Sequence, residues 1–161
     1  MKRLSVILAP VLITGLLCIA AVAAARAVAT HNSTLDGFQT AASESDGVAV
    51  VLNAAGDLPG MGKISFKREG NNISGGVWSL TVLPANADAT SSERGKLSGV
   101  VTGGTLSFNS NGTLSGVSSV QLTIESGTGE HAGVVAGNGT INLSSDGENP
   151  SKLSGTLVLN F

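Results

Sequence analysis

Between Gly127 and Leu143, five glycines (Gly127, Gly129, Gly133, Gly137 and Gly139) are spaced through Thr, Val and Ala ahead of an alternating run. Each interior glycine costs a helix about 1 kcal/mol relative to alanine, so the stretch nearly excludes helix. In a sheet the same residues mark bulges, tight bends and close approaches of two backbones. The five are expected to act structurally, where the sheet bends or where φ is positive.

Downstream of a polar lead, the rest of the chain alternates with period two. Val48 to Leu52 is a short apolar run, Ile64 and Phe66 alternate with Ser65 and Lys67, and Trp78, Leu80 and Val82 alternate with Ser79 and Thr81. Val120, Leu122 and Ile124 continue the pattern, as do Ile141 and Leu143, then Leu153, Gly155, Leu157, Leu159 and Phe161. Such alternation places one face of each strand in a core. Trp78, Leu80, Leu122, Ile124, Ile141, Leu157 and Leu159 are its expected centre. Turn chemistry at 55–60, 69–72, 109–112 and 145–150 separates the runs, and short turns join antiparallel strands. Seven or eight strands with no helix after the leader imply a small antiparallel β-barrel, favoured over a β-sandwich because closure removes edge strands.

The leader is a different polymer. Lys2 and Arg3 precede a run from Leu4 to Ala25 that is apolar apart from Ser5, Thr14 and Gly15, and small residues close it. This is the pattern of an export signal. Cleavage after Ala25-Arg26-Ala27 or after Ala27-Val28-Ala29 satisfies the peptidase equally, and the second is taken as the site. The expected organisation is a signal peptide at 1–29, a flexible lead at 30–46 and a barrel at 47–161, in a protein that is secreted or periplasmic. The alternatives, an uncleaved anchor or a lipid on Cys18, fit less well. Pro10 interrupts the run, and Leu17 stands before the cysteine where a lipoprotein signal has a small residue.

Removing residues 1–29 from 161 leaves 132 residues, with six basic side chains against eleven acidic ones and a net charge of about −5. Lys63, Lys67, Arg68, Arg94, Lys96 and Lys152 are scattered, so no nucleic-acid partner is expected. The processed chain has no cysteine, which excludes disulfides in a compartment where they form readily.

Signals of chemistry are sparse. His31 and His131 have no neighbours at metal-ligand spacing, so neither a zinc site nor any other cofactor is expected. His131 reads as a half-exposed strand residue, not a catalytic base. Gly62-Lys63 and Gly95-Lys96 lack the remaining residues of a phosphate loop. Glu125 and Glu130 read as solvated strand ends before they read as a carboxylate pair. Asp146 to Asn149 is an acidic hairpin loop whose carboxylates are at most a weak calcium site. No serine sits in a Gly-x-Ser-x-Gly elbow, so no catalytic residue is assigned. Asn-x-Ser/Thr sequons at Asn32, Asn72, Asn111, Asn138 and Asn142 follow from composition.

The segment Gly127-Thr-Gly-Glu-His-Ala-Gly-Val-Val-Ala-Gly-Asn-Gly-Thr-Ile141 resembles the glycine-rich hairpin of the allene oxide cyclase and dirigent-like barrels, with His131 where an aromatic residue is usual. Asp57-Leu-Pro-Gly60 and Gly75-Gly-Val-Trp78 are similar to segments of exported bacterial proteins with such a hairpin. The resemblance implies an eight-stranded antiparallel barrel with an apolar interior, in a superfamily whose plant members steer cyclisation or coupling of reactive intermediates and commonly form trimers. None of that superfamily's functional residues falls on a position of this chain.

The reading is therefore an exported non-enzymatic barrel that holds a small apolar ligand or serves as an envelope or extracellular interaction module. It has no stable membrane insertion once the signal is removed. One alternative is an isomerase or cyclase acting on a lipid-derived substrate inside the barrel. The other is a small outer-membrane barrel, which Phe38, Phe66, Trp78, Phe108 and Phe161 are too few to girdle with aromatics.

Overall fold

The computed structural model describes residues 27–44, 47–84, 92–145 and 152–161. The leader up to Arg26, with Cys18, and the acidic loop at 146–149 lie outside the described residues. The strands are β1 (Thr30–Glu44), β2 (Gly47–Gly56), β3 (Gly60–Glu69), β4 (Asn72–Val82), β5 (Gly95–Phe108), β6 (Leu114–Gly127), β7 (Gly137–Ser145) and β8 (Lys152–Asn160). Each pairs antiparallel with the next, and β1 pairs with β8 from Thr30↔Asn160 to Phe38↔Lys152. The sheet closes on itself as an eight-stranded barrel, so the sandwich alternative does not hold.

Residues 30–46, expected to be a flexible lead, are largely strand. The barrel begins at β1, whose Thr30–Glu44 ladder joins β8 on one side and β2 on the other. The strand was hidden because its described inward positions are Ser33, Leu35 and Gly37, among which one large apolar residue marks the period. Ser33 is buried, and its Oγ accepts a 3.3 Å hydrogen bond from the Leu58 amide in the β2–β3 turn. Burial of a polar side chain is offset by that bond.

Among the described residues the interior is filled by side chains. Every residue expected at the centre of the core is buried, from Leu159 at 0% exposure to Trp78 at 5%. An interior cavity between Leu35, Ile64, Trp78 and Leu157 measures about 20 Å³, space for about one water molecule and no ligand. Outward positions carry polar side chains such as Lys63, Lys67, Thr102, Gln121 and Thr156, all exposed.

Trp78 ties three strands together. Its indole lies over Gly99 of β5, and Nε1 donates to the Thr123 carbonyl of β6 at 2.9 Å. A β-carbon at Gly99 would collide with that carbonyl and stand 3.0 Å from Nε1. The β5–β6 ladder shifts register between Ser98 and Gly99, where Glu125 is left without an opposite residue, as at a bulge.

Candidate functional site

The start of β1, the end of β8 and the β6–β7 connection meet at one end of the barrel. The Ala29 amide donates to the Phe161 carbonyl at 2.9 Å and the Phe161 amide to the Ala29 carbonyl at 3.1 Å, so the β1–β8 ladder runs one rung past its strand ends. This fixes Phe161 between two histidines. His31 stacks on its ring with centroids 4.4 Å apart and 21° between planes. His131 meets the same ring edge-on at 5.9 Å and 87°.

The glycine-rich connection positions His131. Gly129–His131 form a single 3-10 turn, so His131 sits in a helical turn and not in the strand expected for it. The turn starts because Gly129 adopts φ 60°, a conformation glycine takes without a β-carbon clash, beside the Arg94 carbonyl. A β-carbon at Gly137 would stand 2.6 Å from the Asn160 carbonyl oxygen and 3.0 Å from the Phe161 β-carbon. Gly139 meets the Val158 carbonyl in the same way, and Gly127 the His131 carbonyl. Gly133 differs. It is exposed, its φ is not positive, and it lines a pocket.

Arg94, just before β5, holds the connection from outside. Its Nε donates to Glu130 Oε2 at 2.7 Å, and the Glu130 amide donates to the Arg94 carbonyl at 2.7 Å. The hydrogen bond from Arg94 lowers the Glu130 carboxyl below its usual range, and the same bond raises the guanidinium. Both side chains are well exposed, so the pair positions the turn more than it stabilises the fold. Burial lowers the His131 imidazole and the Arg94 charge adds to this, against the opposing pull of Glu130. Its Nε2 is shielded from water and has no hydrogen-bond partner among the described residues, consistent with a neutral ring. Glu125 is exposed near the end of β6 and does not join the pair.

Beside Phe161 lies a pocket of about 350 Å³ lined by Val28, Gly133 to Asn138, Asn160 and Phe161. Val28 is 70% exposed and Val135 75%, the largest exposures among the large apolar residues described. One wall is polar and ordered: Thr30 Oγ1 donates to Asn160 Oδ1 at 2.8 Å, and Asn160 Nδ2 to Asn138 Oδ1 at 3.1 Å. A second hollow of about 370 Å³ crosses β2, β1 and β8 at Asn32, Thr34, Ala55 and Thr156, bordered by the β2–β3 turn, where the Asn32 amide donates to Asp57 Oδ2 at 2.8 Å.

The structure thus brings together His31, Arg94, Glu130, His131 and Phe161, four separate stretches of chain. Phe161 was legible only as the last residue of an apolar face, and Arg94 only as one of several scattered cations. Among the described residues no three His, Cys, Asp or Glu side chains converge as metal ligands. Among the described residues no hydroxyl or thiol is bonded to His131 Nε2, and its carboxylate neighbour Glu130 is engaged by Arg94. No family model, curated protein or solved structure matches the chain, and a barrel fold hosts many functions, so the site itself must carry the functional argument.

Proposed function

We propose that this is an exported, non-enzymatic barrel whose end pocket binds a small apolar ligand. The observation that carries the reading is the contrast between a filled interior and an apolar end pocket, where Val28, Val135 and Phe161 face a space of about 350 Å³. That volume lies at the lower end of the range for small-molecule sites, about 300–1,000 Å³. Exposed valines beside an aromatic ring gain from being covered, and the Asn138–Asn160 wall supplies polar groups to orient a ligand. The outer face carries Phe38, Met61 and Val77 among exposed Lys63, Lys67, Thr102, Gln121 and Thr156, a mixed surface unlike the apolar band of a membrane barrel, which supports a water-soluble protein. The cyclase reading requires an interior that confines a substrate, and the packing of Ile64, Trp78, Leu122 and Leu157 leaves it without support.

Titration of the isotope-labelled protein with 1-decanol, followed by amide NMR, tests the proposal. Saturable shifts at Val135, Gly137 and Phe161, with Leu122 and the Trp78 indole unmoved and the effect abolished by Val135→Asp, are expected. Shifts centred on Trp78, or none that saturate, would overturn it.

A further inference from the structure

We infer that the export signal is removed after Ala27, so that Val28 is the first residue of the processed protein. The inference rests on the export reading and goes beyond it. Alanines stand one and three residues before the cut at both Ala25-Arg26-Ala27 and Ala27-Val28-Ala29, so the peptidase's requirement for small residues does not separate the two bonds. What they leave behind does.

Ala29 supplies the last rung of the seam that closes the barrel, with reciprocal hydrogen bonds of 2.9 and 3.1 Å to Phe161. Cleavage after Ala29 strips that rung, and the Phe161 amide and carbonyl lose their partners. It also removes Val28, a wall of the pocket beside Phe161. The ring that His31 stacks on and His131 abuts is then carried by a residue whose backbone has lost its β1 partner. Cleavage after Ala27 keeps the rung and the wall. In that step a signal peptidase adds water across the Ala27–Val28 peptide bond: the water oxygen completes the Ala27 carboxylate, and the Val28 nitrogen leaves as an α-amine, protonated at neutral pH. The new charged terminus sits on the pocket rim.

The full-length chain, expressed with its leader in an exporting host, is purified and its intact mass measured. A product beginning at Val28 is expected, and Ala29→Leu, which spoils the second site alone, should leave that cut unchanged. A product beginning at Thr30 would overturn the inference while leaving export intact, and one retaining Met1 would overturn both. As a second measurement, the Val28 and Thr30 forms are each released from a cleavable fusion and melted. The shorter form should melt about 3–6 °C lower, as expected for loss of a terminal rung from a domain of this size. Equal melting would remove the structural reason for the assignment.

Discussion

Gly99 matters for what it lacks. The only tryptophan of the chain crosses β5 to reach the Thr123 carbonyl because no β-carbon stands between them. Gly99→Ala is expected to force the indole or the β6 backbone aside and to cost about 2–3 kcal/mol, the sum of overpacking and a weakened hydrogen bond. Urea denaturation measures the loss, and tryptophan emission, free of any second indole, should shift to the red. His131 makes a different kind of prediction. Its imidazole is held below the ordinary value of 6.5, chiefly by burial, so the unfolded chain binds more protons between the folded value and 6.5. Stability is therefore fullest above that window and falls as pH drops through it. The effect is small because the ring is partly exposed, and His131→Gln should flatten it while leaving stability at pH 8 nearly unchanged. Unfolding midpoints of the two proteins between pH 8 and 5 check this, and parallel curves would show that His131 plays no part.

At the scale of strands and turns, legibility followed side-chain size. From Trp78 to Val82, Val120 to Ile124 and Leu157 to Leu159 the inward residues are large and apolar, so period two was plain and the residues named for the core are buried, whereas Leu97, Val101, Leu106, Leu114 and Val117, set among glycines and irregular registers in β5 and the first half of β6, were not named. β1 escaped because Ser33 and Gly37 occupy inward positions where Leu or Val would have advertised a face. The end site escaped for a different reason: Arg94 meets the His131 turn only once β5 and β6 have paired, His31 and Phe161 meet only once β1 and β8 have paired, and no local pattern encodes either contact. Irregularities were only partly visible. Glycines pointed to bends, yet the shift between Val117 and Val120 in the β6–β7 ladder is centred on Ser119, a non-glycine at φ 52°. Its amide is held by the Asn142 side chain, with Oδ1 accepting at 2.8 Å. Asn142→Ala should destabilise the protein by about 0.5–1 kcal/mol, toward the low end of values for a hydrogen bond because the site is exposed. Asn142→Asp, which keeps the acceptor, should stay near wild type. Chemical denaturation of both variants distinguishes a held bulge from one set by the ladder alone.

For the whole molecule, closure makes the choice of chain ends nearly arbitrary. Every strand has two neighbours, and the seam between first and last strands is as regular as any other: β1 and β8 pair over nine consecutive residues without a register shift. Ala29 and Phe161 are already hydrogen-bonded to each other, so a two-residue Asn-Gly link from Phe161 to Ala29 completes a hairpin of the commonest kind. New ends fit between Asn111 and Gly112, both exposed at the tip of the β5–β6 turn. Opening the chain there sacrifices turn bonds such as the Gly112 amide to the Asn109 carbonyl, while the Leu114 amide stays tied to Gln39 Oε1 at 2.8 Å across the same end of the barrel. Exposed loop tips with few such bonds tolerate new termini best. The permutant should therefore fold to the same sheet with a loss of about 1–3 kcal/mol, reflecting the lost turn bonds and a closure transferred to β5 and β6. That pair carries four register shifts, so the cost measures how far an irregular seam can close a barrel without a covalent turn. Far-UV circular dichroism and urea unfolding read the outcome. A permutant that stays unfolded would mean that the barrel depends on the β5–β6 turn as a starting point, and that its strands are not interchangeable as sites of closure.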